Sequence, residues 1–169
     1  MSETPSNPTA PAAGTAPAAR QVLLQKIYVK DASLEVPLAP QVFTRPWQPQ
    51  VDVQVNTDVK PLEGDNFHLV LALTVTVKLG EDVAFLAEAH QAAIFNVRGF
   101  DNRDELQAIL GAYCPAQVFP FARETVADLV QRAGFPQLLL QPINFEALYV
   151  DHLNKRRAQA AAAATATAH

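Results

Sequence analysis

The segment "FHLVLALTVTVKL", residues 67–79, decides the fold because its apolar side chains recur at every second position. Such strict alternation over this length predicts a β-strand with one buried face. Gly80, Glu81 and Asp82 follow directly and predict a turn into a second strand over residues 83–97, "VAFLAEAHQAAIFNV". The sequence therefore predicts a long hairpin. The buried face of its first strand comprises Phe67, Leu69, Leu71, Leu73, Val75, Val77 and Leu79.

Two segments before the hairpin also predict strands. Residues 22–36 alternate with one change of face near Gln25 and Lys26, which indicates a β-bulge. In residues 51–55, "VDVQV", we expect the three valines to point inward, and residues 56–66 are interpreted as a polar connection.

After Asp101 the apolar period changes toward 3.6 residues, which predicts helices. One is expected within residues 115–134, and another begins after the N-cap Asn144. The first has a stripe approximated by Val118, Phe121, Thr125, Leu129 and Val130. Four strands before any helix predict an α+β fold, an antiparallel sheet with segregated helices. Ala92 and Ile94 make the far end of the hairpin apolar on its second face, so we expect a helix or another subunit to cover that face.

Composition predicts one domain and excludes several classes of protein. The Pro/Ala-rich residues 1–20 are expected to be disordered and the Ala-rich residues 155–169 to be frayed or disordered, which leaves a domain at 21–154. The 13 basic and 17 acidic residues disfavour nucleic acid as a partner. Because no signal sequence or membrane-spanning segment is recognisable, we expect a cytoplasmic protein without membrane insertion. The single cysteine, Cys114, is expected to be a buried, small apolar residue.

Catalytic chemistry has little support, because no phosphate loop, dinucleotide fingerprint, zinc-type spacing or nucleophile elbow is present. His68 and His90 are predicted on neighbouring strands, with Glu88 beside His90, and an enzyme would require these three side chains to converge. Such residues on a sheet face are more often solvated polar groups. We therefore expect no catalytic residue, no metal and no cofactor.

The loop "PLAPQVFTRPWQP", residues 37–49, contains four prolines, Phe43 and the only tryptophan, Trp47. Ordering a loop of this length costs about 1–2 kcal/mol per residue, so burial of its apolar side chains has to offset that cost. One interpretation is that the loop covers the core. The other is that its inner edge and a facing helix form an apolar groove, because rigid aromatic residues and prolines make adaptable binding walls.

One strand face combines an apolar residue with carboxylates. Leu86 lies between Ala84 and Glu88 in the alternating pattern, and Asp31 and Glu35 on the first strand extend the same surface. The pattern suits a basic peptide or a small basic domain, although an ordinary solvated sheet face would give the same pattern.

The sequence also resembles a known family over residues 21–153. The segments "IYVKDASLEVPLAPQVF", "VTVKLGEDVAFLAE", "GAYCP" and "FPFAR", in this order, are similar to those of the SecB protein-export chaperones. The resemblance implies a four-stranded antiparallel sheet with helices packed on one side, assembled as a homotetramer, a dimer of dimers. It implies an ATP-independent holdase, not an enzyme, that binds unfolded preproteins and delivers them to the SecA motor.

The resemblance also implies two sites. A client-binding groove maps to Phe43 and Trp47 on the loop and to Leu148 and Tyr149 on the last helix. A SecA-docking surface, which receives the zinc-binding C-terminal tail of SecA, maps to Asp31, Glu35, Leu86 and Glu88; the zinc belongs to SecA.

Overall fold

The computed structural model of the chain describes residues 19–166, with side-chain positions for residues 19–160. Apart from its last two residues, the predicted disordered segment at 1–20 lies outside the described residues.

Four strands form one antiparallel sheet with the order β1, β4, β3, β2. The strands are β1 (Gln21–Glu35), β2 (Gln50–Pro61), β3 (Asn66–Leu79) and β4 (Asp82–Arg98), and the helices are α1 (Arg103–Ala108), α2 (Cys114–Arg132) and α3 (Phe145–Ala166). A short 3-10 helix spans Gln41–Thr44, and a π-helical turn, Ile109–Tyr113, joins α1 to α2. The predicted α+β architecture, with helices on one side of a four-stranded antiparallel sheet, is confirmed.

The core lies between α2 and the central strands β3 and β4. The alternating apolar residues of β3 from Leu69 to Leu79 are buried, as predicted. On β4 the residues Ala87, Ala89 and Ala93 are completely buried. Small side chains at these positions let the helix approach the sheet closely.

The buried row of α2 differs from the predicted stripe. It consists of Cys114, Val118, Ala122, Val126 and Val130, which repeat at every fourth residue, whereas Phe121 is exposed. Residues four apart lie nearly above one another on a helix. The predicted inward position of Phe121 was therefore wrong.

The edge strand β2 is longer than the sequence indicated. It pairs with β3 as far as Pro61, so most of the predicted polar connection at 56–66 is strand. Both faces of this strand are largely open to solvent, so its second half is mostly polar and lacks the alternation that predicts a strand. Val51 and Val53 do share the helix-side face with Val77 and Val75, their partners on β3, yet they remain 46% and 38% exposed.

Strand β1 contains the predicted bulge, since its pairing with β4 shifts register between Leu24 and Lys26. A second shift, between Val29 and Asp31, was not predicted. Each shift adds one residue to β1. The residues beyond the shift therefore point to the same side of the sheet as their partners on β4.

Helix α3 begins after Asn144, whose Oδ1 accepts a hydrogen bond from the backbone N–H of Ala147 at 3.0 Å, as expected of an N-cap. The helix continues to Ala166, beyond the predicted domain end at residue 154. Fraying of residues 155–169 stays a prediction. None of the helices in the described part of the chain is long and apolar enough to cross a membrane.

Candidate functional site

The loop of residues 37–49 is held against the end of α2 by an aromatic cluster centred on Phe135. The Phe135 ring lies 5.0 Å from Phe43, 5.5 Å from Trp47 and 4.7 Å from Phe85, measured between ring centroids. Val42 of the loop is buried, and Arg45 forms a 2.8 Å ion pair with Asp82 at the start of β4. The loop therefore covers part of the core, which is the first of the two interpretations of its sequence.

The two loop aromatics are nevertheless only partly covered. Phe43 is 50% exposed and Trp47 is 37% exposed, although one face of each ring packs on Phe135. Rigid aromatic rings in this position present apolar surface to solvent without requiring further ordering of the loop.

An apolar trough lies between β2 and the extended segment of residues 138–143. It has a volume of about 520 Å³ and is lined by Val51, Val53, Val55, Phe119, Leu138, Leu139, Leu140, Gln141, Pro142, Ile143 and Leu148. Gly134, with a φ of 87°, ends α2, and the chain then runs without regular structure to α3. Leu139 in this segment is 73% exposed. The trough is an open surface whose walls are mostly aliphatic.

A second, larger cavity of about 830 Å³ lies between the second half of β2 and α3. Its lining combines apolar residues such as Phe67 and Leu110 with charged residues, including Asp58, Asp151 and Lys155. Tyr149 rests against the π-helical turn, where a Cβ on Gly111 would lie 2.5 Å from its Cδ2 atom. Gly111 therefore positions α3 by leaving room for the Tyr149 ring.

The four predicted groove residues fall into two groups. Leu148 lines both cavities and Tyr149 lines the larger one, whereas Phe43 and Trp47 line neither. Along the chain, Trp47 is four residues before Val51, and its partner Phe135 is three residues before Leu138. Sequence reasoning found Leu148 and missed the other residues of the trough lining. The signal that could have found them was the run of three leucines at 138–140 between prolines.

The predicted docking residues do share one face, on the side of the sheet away from the helices. Glu35 pairs with Leu86, Ser33 pairs with Glu88, and Asp31 pairs with His90. We call the surface formed by Asp31, Glu35, Leu86 and Glu88 the docking face. Glu88 is held by both neighbours: Nε2 of His90 lies 2.8 Å from its Oε1, and the Thr74 hydroxyl donates to its Oε2 at 2.9 Å.

The three side chains that an enzyme would need do not converge. His68 pairs across from Ile94, four residues along β4 from His90, and its Nε2 lies 2.9 Å from the hydroxyl of Tyr28. Residues four apart on a strand are separated by about 13 Å. Glu88 and His90 thus form a local side-chain contact without His68.

Cys114 is completely buried, as predicted. Burial raises the pKa of its thiol from 9.0 to about 12 because the thiolate would lose its hydration. A thiol in this environment is unreactive at neutral pH.

The fold and the site define a class: an α+β protein whose antiparallel sheet bears helices on one side and an open apolar trough at its edge. The family model "Preprotein translocase subunit SecB" matches residues 15–156 of the chain. The chain belongs to the SecB family.

Known relatives agree with this membership. A protein-export protein SecB from Hydrogenovibrio crunogenus is 49% identical over 137 residues, which cover 81% of this chain and 91% of the relative. Another from Thioalkalivibrio sulfidiphilus is 49% identical over 149 residues, 88% of each chain. Among solved structures, a SecB-like chaperone from Mycobacterium tuberculosis in complex with a ChAD peptide from the HigA1 antitoxin is similar with a TM-score of 0.58 at 20% identity. That similarity covers 72% of this chain and 90% of the other.

Proposed function

We propose that the protein is an ATP-independent chaperone that binds unfolded precursors of exported proteins and delivers them to the SecA motor. Membership of a family of preprotein translocase subunits supports this function. The observation that supports the binding mode is the trough, where Val51 and Val53 of β2 remain 46% and 38% exposed. Exposed apolar surface of this kind marks an interaction site.

The proposed client site combines the trough with Phe43 and Trp47 of the loop and with Leu148 and Tyr149 on α3. Its aliphatic and aromatic walls place few demands on the order of residues in a client, because apolar contacts are not directional. A folded protein hides its apolar segments, so the site selects polypeptides that fold slowly. Several such sites in one assembly raise the affinity for a long chain through multivalency.

The proposed assembly is a homotetramer, a dimer of dimers, in the cytoplasm. Strand β1 supports association, because it is an edge strand of 15 residues with one side unpaired among the described residues. It also exposes large apolar residues on both faces, namely Leu23, Leu24, Tyr28 and Val29. Such an edge is a template for pairing with another chain. Size measurement by light scattering should give four copies per particle, and a monomer would contradict this part of the proposal.

A client-binding experiment tests the trough. The chaperone, without nucleotide, is mixed with a slow-folding unfolded precursor, and aggregation and complex stoichiometry are measured. We expect Leu139→Ser and the double variant Phe43→Ser, Trp47→Ser to lose most of the aggregation suppression. The matched control is Leu62→Ser, because Leu62 is 45% exposed but lies in the turn between β2 and β3, away from the trough. Unchanged suppression by correctly assembled trough variants would overturn the assignment.

A separate experiment tests the docking face, whose proposed partner is the zinc-binding C-terminal tail of SecA. Charge reversal of Asp31, Glu35 and Glu88 should weaken SecA binding at low salt, and the effect should shrink as salt screens the interaction. Client binding should persist, because the docking face and the trough lie on different sides of the sheet. Equal loss of both activities would indicate misfolding instead of a docking defect.

A further inference from the structure

We propose that His90 is an additional element of the docking face and makes docking depend on pH, with weaker docking when its imidazole is protonated. The inference rests on the proposed docking function of that face. It adds a regulating residue that lies between the docking carboxylates.

The position of His90 brings it to two of the three carboxylates. It pairs directly across the strands with Asp31, and its Nε2 lies 2.8 Å from Oε1 of Glu88. One side-chain nitrogen or oxygen of each of Asp31, Glu88 and His90 lies within 4.8 Å of the other two. At this spacing a charge on the imidazole acts on both carboxylates.

The carboxylate of Glu88 is fixed from both sides. The hydroxyl of Thr74 on β3 donates to Oε2, and His90 occupies Oε1. A lysine or arginine of a partner must therefore compete with His90 for Oε1. The competition is stronger when His90 is positively charged, because a charge-assisted hydrogen bond is stronger than a neutral one.

Protonation also changes the charge of the face as a whole. With a neutral imidazole the docking face presents the three carboxylates of Asp31, Glu35 and Glu88, and a protonated imidazole offsets one of them. A basic partner is attracted less by the reduced charge. Both effects act in the same direction, toward weaker docking at lower pH.

The surroundings of His90 contain few other groups that could oppose this effect. Strand β1 contributes Asp31 and, in the adjoining bulge, Lys30; β4 contributes Glu88. Strand β3 places Ala72 opposite His90 and Thr74 opposite Glu88, neither of which titrates. The nearest histidine on β3, His68, is paired with Ile94 farther along the sheet. Within the described residues, the helices pack on the other side of the sheet.

The test measures binding of purified SecA to the assembled protein at pH 8 and at pH 6, at one low ionic strength. A histidine side chain generally changes its charge within this range. We expect the dissociation constant of the unmodified protein to rise about threefold to fivefold at pH 6, the size typical of one partly exposed ion pair. The increase should largely disappear at high salt.

Three variants separate the causes. His90→Gln keeps a hydrogen-bond donor but cannot be charged, so its change in affinity between the two pH values should be smaller than that of the unmodified protein. His90→Lys stays charged and should bind weakly at both values. His68→Gln is the matched control, because it removes a histidine from the same sheet face. Its affinity for SecA should change with pH as much as that of the unmodified protein.

The outcomes distinguish this inference from the proposed function. If SecA binds at pH 8 but His90→Gln keeps the pH dependence of the unmodified protein, the role of His90 is overturned and the docking face stands. Equal affinity of His90→Lys and His90→Gln would overturn it as well. If SecA does not bind at either pH, the docking proposal fails and this inference fails with it. Client aggregation assays verify that each variant remains folded.

Discussion

The phenol oxygen of Tyr28 on β1 lies 2.9 Å from Nε2 of His68 on β3, above the strand β4 that runs between them. The two rings are nearly parallel, with centroids 6.2 Å apart. Tyr28 pairs with Ala92, and His68 pairs with Ile94, so the ring pair lies over this part of β4. Ala92 is completely buried as a result. These two side chains cover Ala92, whereas Ile94 on the same face is only half-buried, and cover of this face by another subunit stays a prediction.

Enlarging Ala92 should force this ring pair apart. We expect Ala92→Leu to destabilise the protein by about 1–3 kcal/mol, because overpacking a filled site shifts side chains from their preferred rotamers. Urea unfolding at one fixed protein concentration measures the change. Ala116→Leu on the exposed surface of α2 is the control and should change the free energy of unfolding little. Equal stability of the two variants would show that the ring pair does not enclose Ala92.

The contact between Gly111 and Tyr149 predicts the sign of the stability change caused by Gly111→Ala. Gly111→Ala should destabilise the protein, because the new Cβ would meet the Tyr149 ring at 2.5 Å. In a Tyr149→Ala background the same change should be neutral or stabilising by up to about 1 kcal/mol, since alanine favours helical backbone over glycine. A double-mutant cycle in urea measures both values. Identical effects in the two backgrounds would contradict the contact.

Removal of Phe135 should release the loop of residues 37–49. Phe135→Ala deletes the ring shared by Phe43, Trp47 and Phe85, and we expect a loss of about 3–5 kcal/mol of stability. Because Trp47 is the only tryptophan, its fluorescence reports on the loop directly, and its emission should shift to longer wavelength with lower anisotropy. Phe121→Ala, at an exposed position of α2, should leave the emission unchanged. An unaltered Trp47 spectrum in Phe135→Ala would count against the aromatic cluster.

The buried thiol of Cys114 should resist a thiol reagent at pH 8 in the folded protein and react rapidly after denaturation. The raised pKa, about 12, leaves almost no thiolate at pH 8, and burial blocks access. Ala116→Cys places a thiol at an exposed position two residues away and should react at once. Rapid labelling of native Cys114 would show that this part of the core opens readily.

The same pKa gives a direction for stability at high pH. The folded thiol has a pKa of about 12, against 9.0 for the ordinary group, so its contribution is intact below pH 9 and is lost as the pH rises toward 12. The unmodified protein should therefore lose more stability between pH 8 and pH 10.5 than Cys114→Ala does. Parallel stability curves for the two proteins would contradict this prediction.

The sequence predicted the centre of the sheet better than its edge. In β3 every second residue is apolar because one face is completely buried, so the alternation of Leu69 to Leu79 indicated both the strand and its buried side. Within residues 19–166, strand β2 pairs with β3 alone, and its second half, from Asn56, is rich in polar residues that resemble a loop. Backbone pairing, which leaves no pattern in the side chains, forms this half of the strand.

The candidate site was predicted in part for a related reason. Asp31, Glu35, Leu86 and Glu88 were placed on one face correctly, because alternation along two strands determines which side chains share a side. Apart from Leu148, the trough lining was not found, because alternation indicates which way Val51 and Val53 point but not how far they are covered. Their exposure depends on the path of the irregular segment of residues 138–143. Packing between residues far apart in the sequence determines that path.

The alanines of β4 determine where this protein can change over evolutionary time. Ala87, Ala89 and Ala93 are completely buried in the core, and larger residues there would overpack it. Val51, Val53 and Leu139 at the trough are exposed, so one aliphatic residue can replace another there without overpacking the core. Mutational drift in such a molecule should therefore accumulate around the trough, and its binding preferences can vary while the alanine-lined interior stays the same.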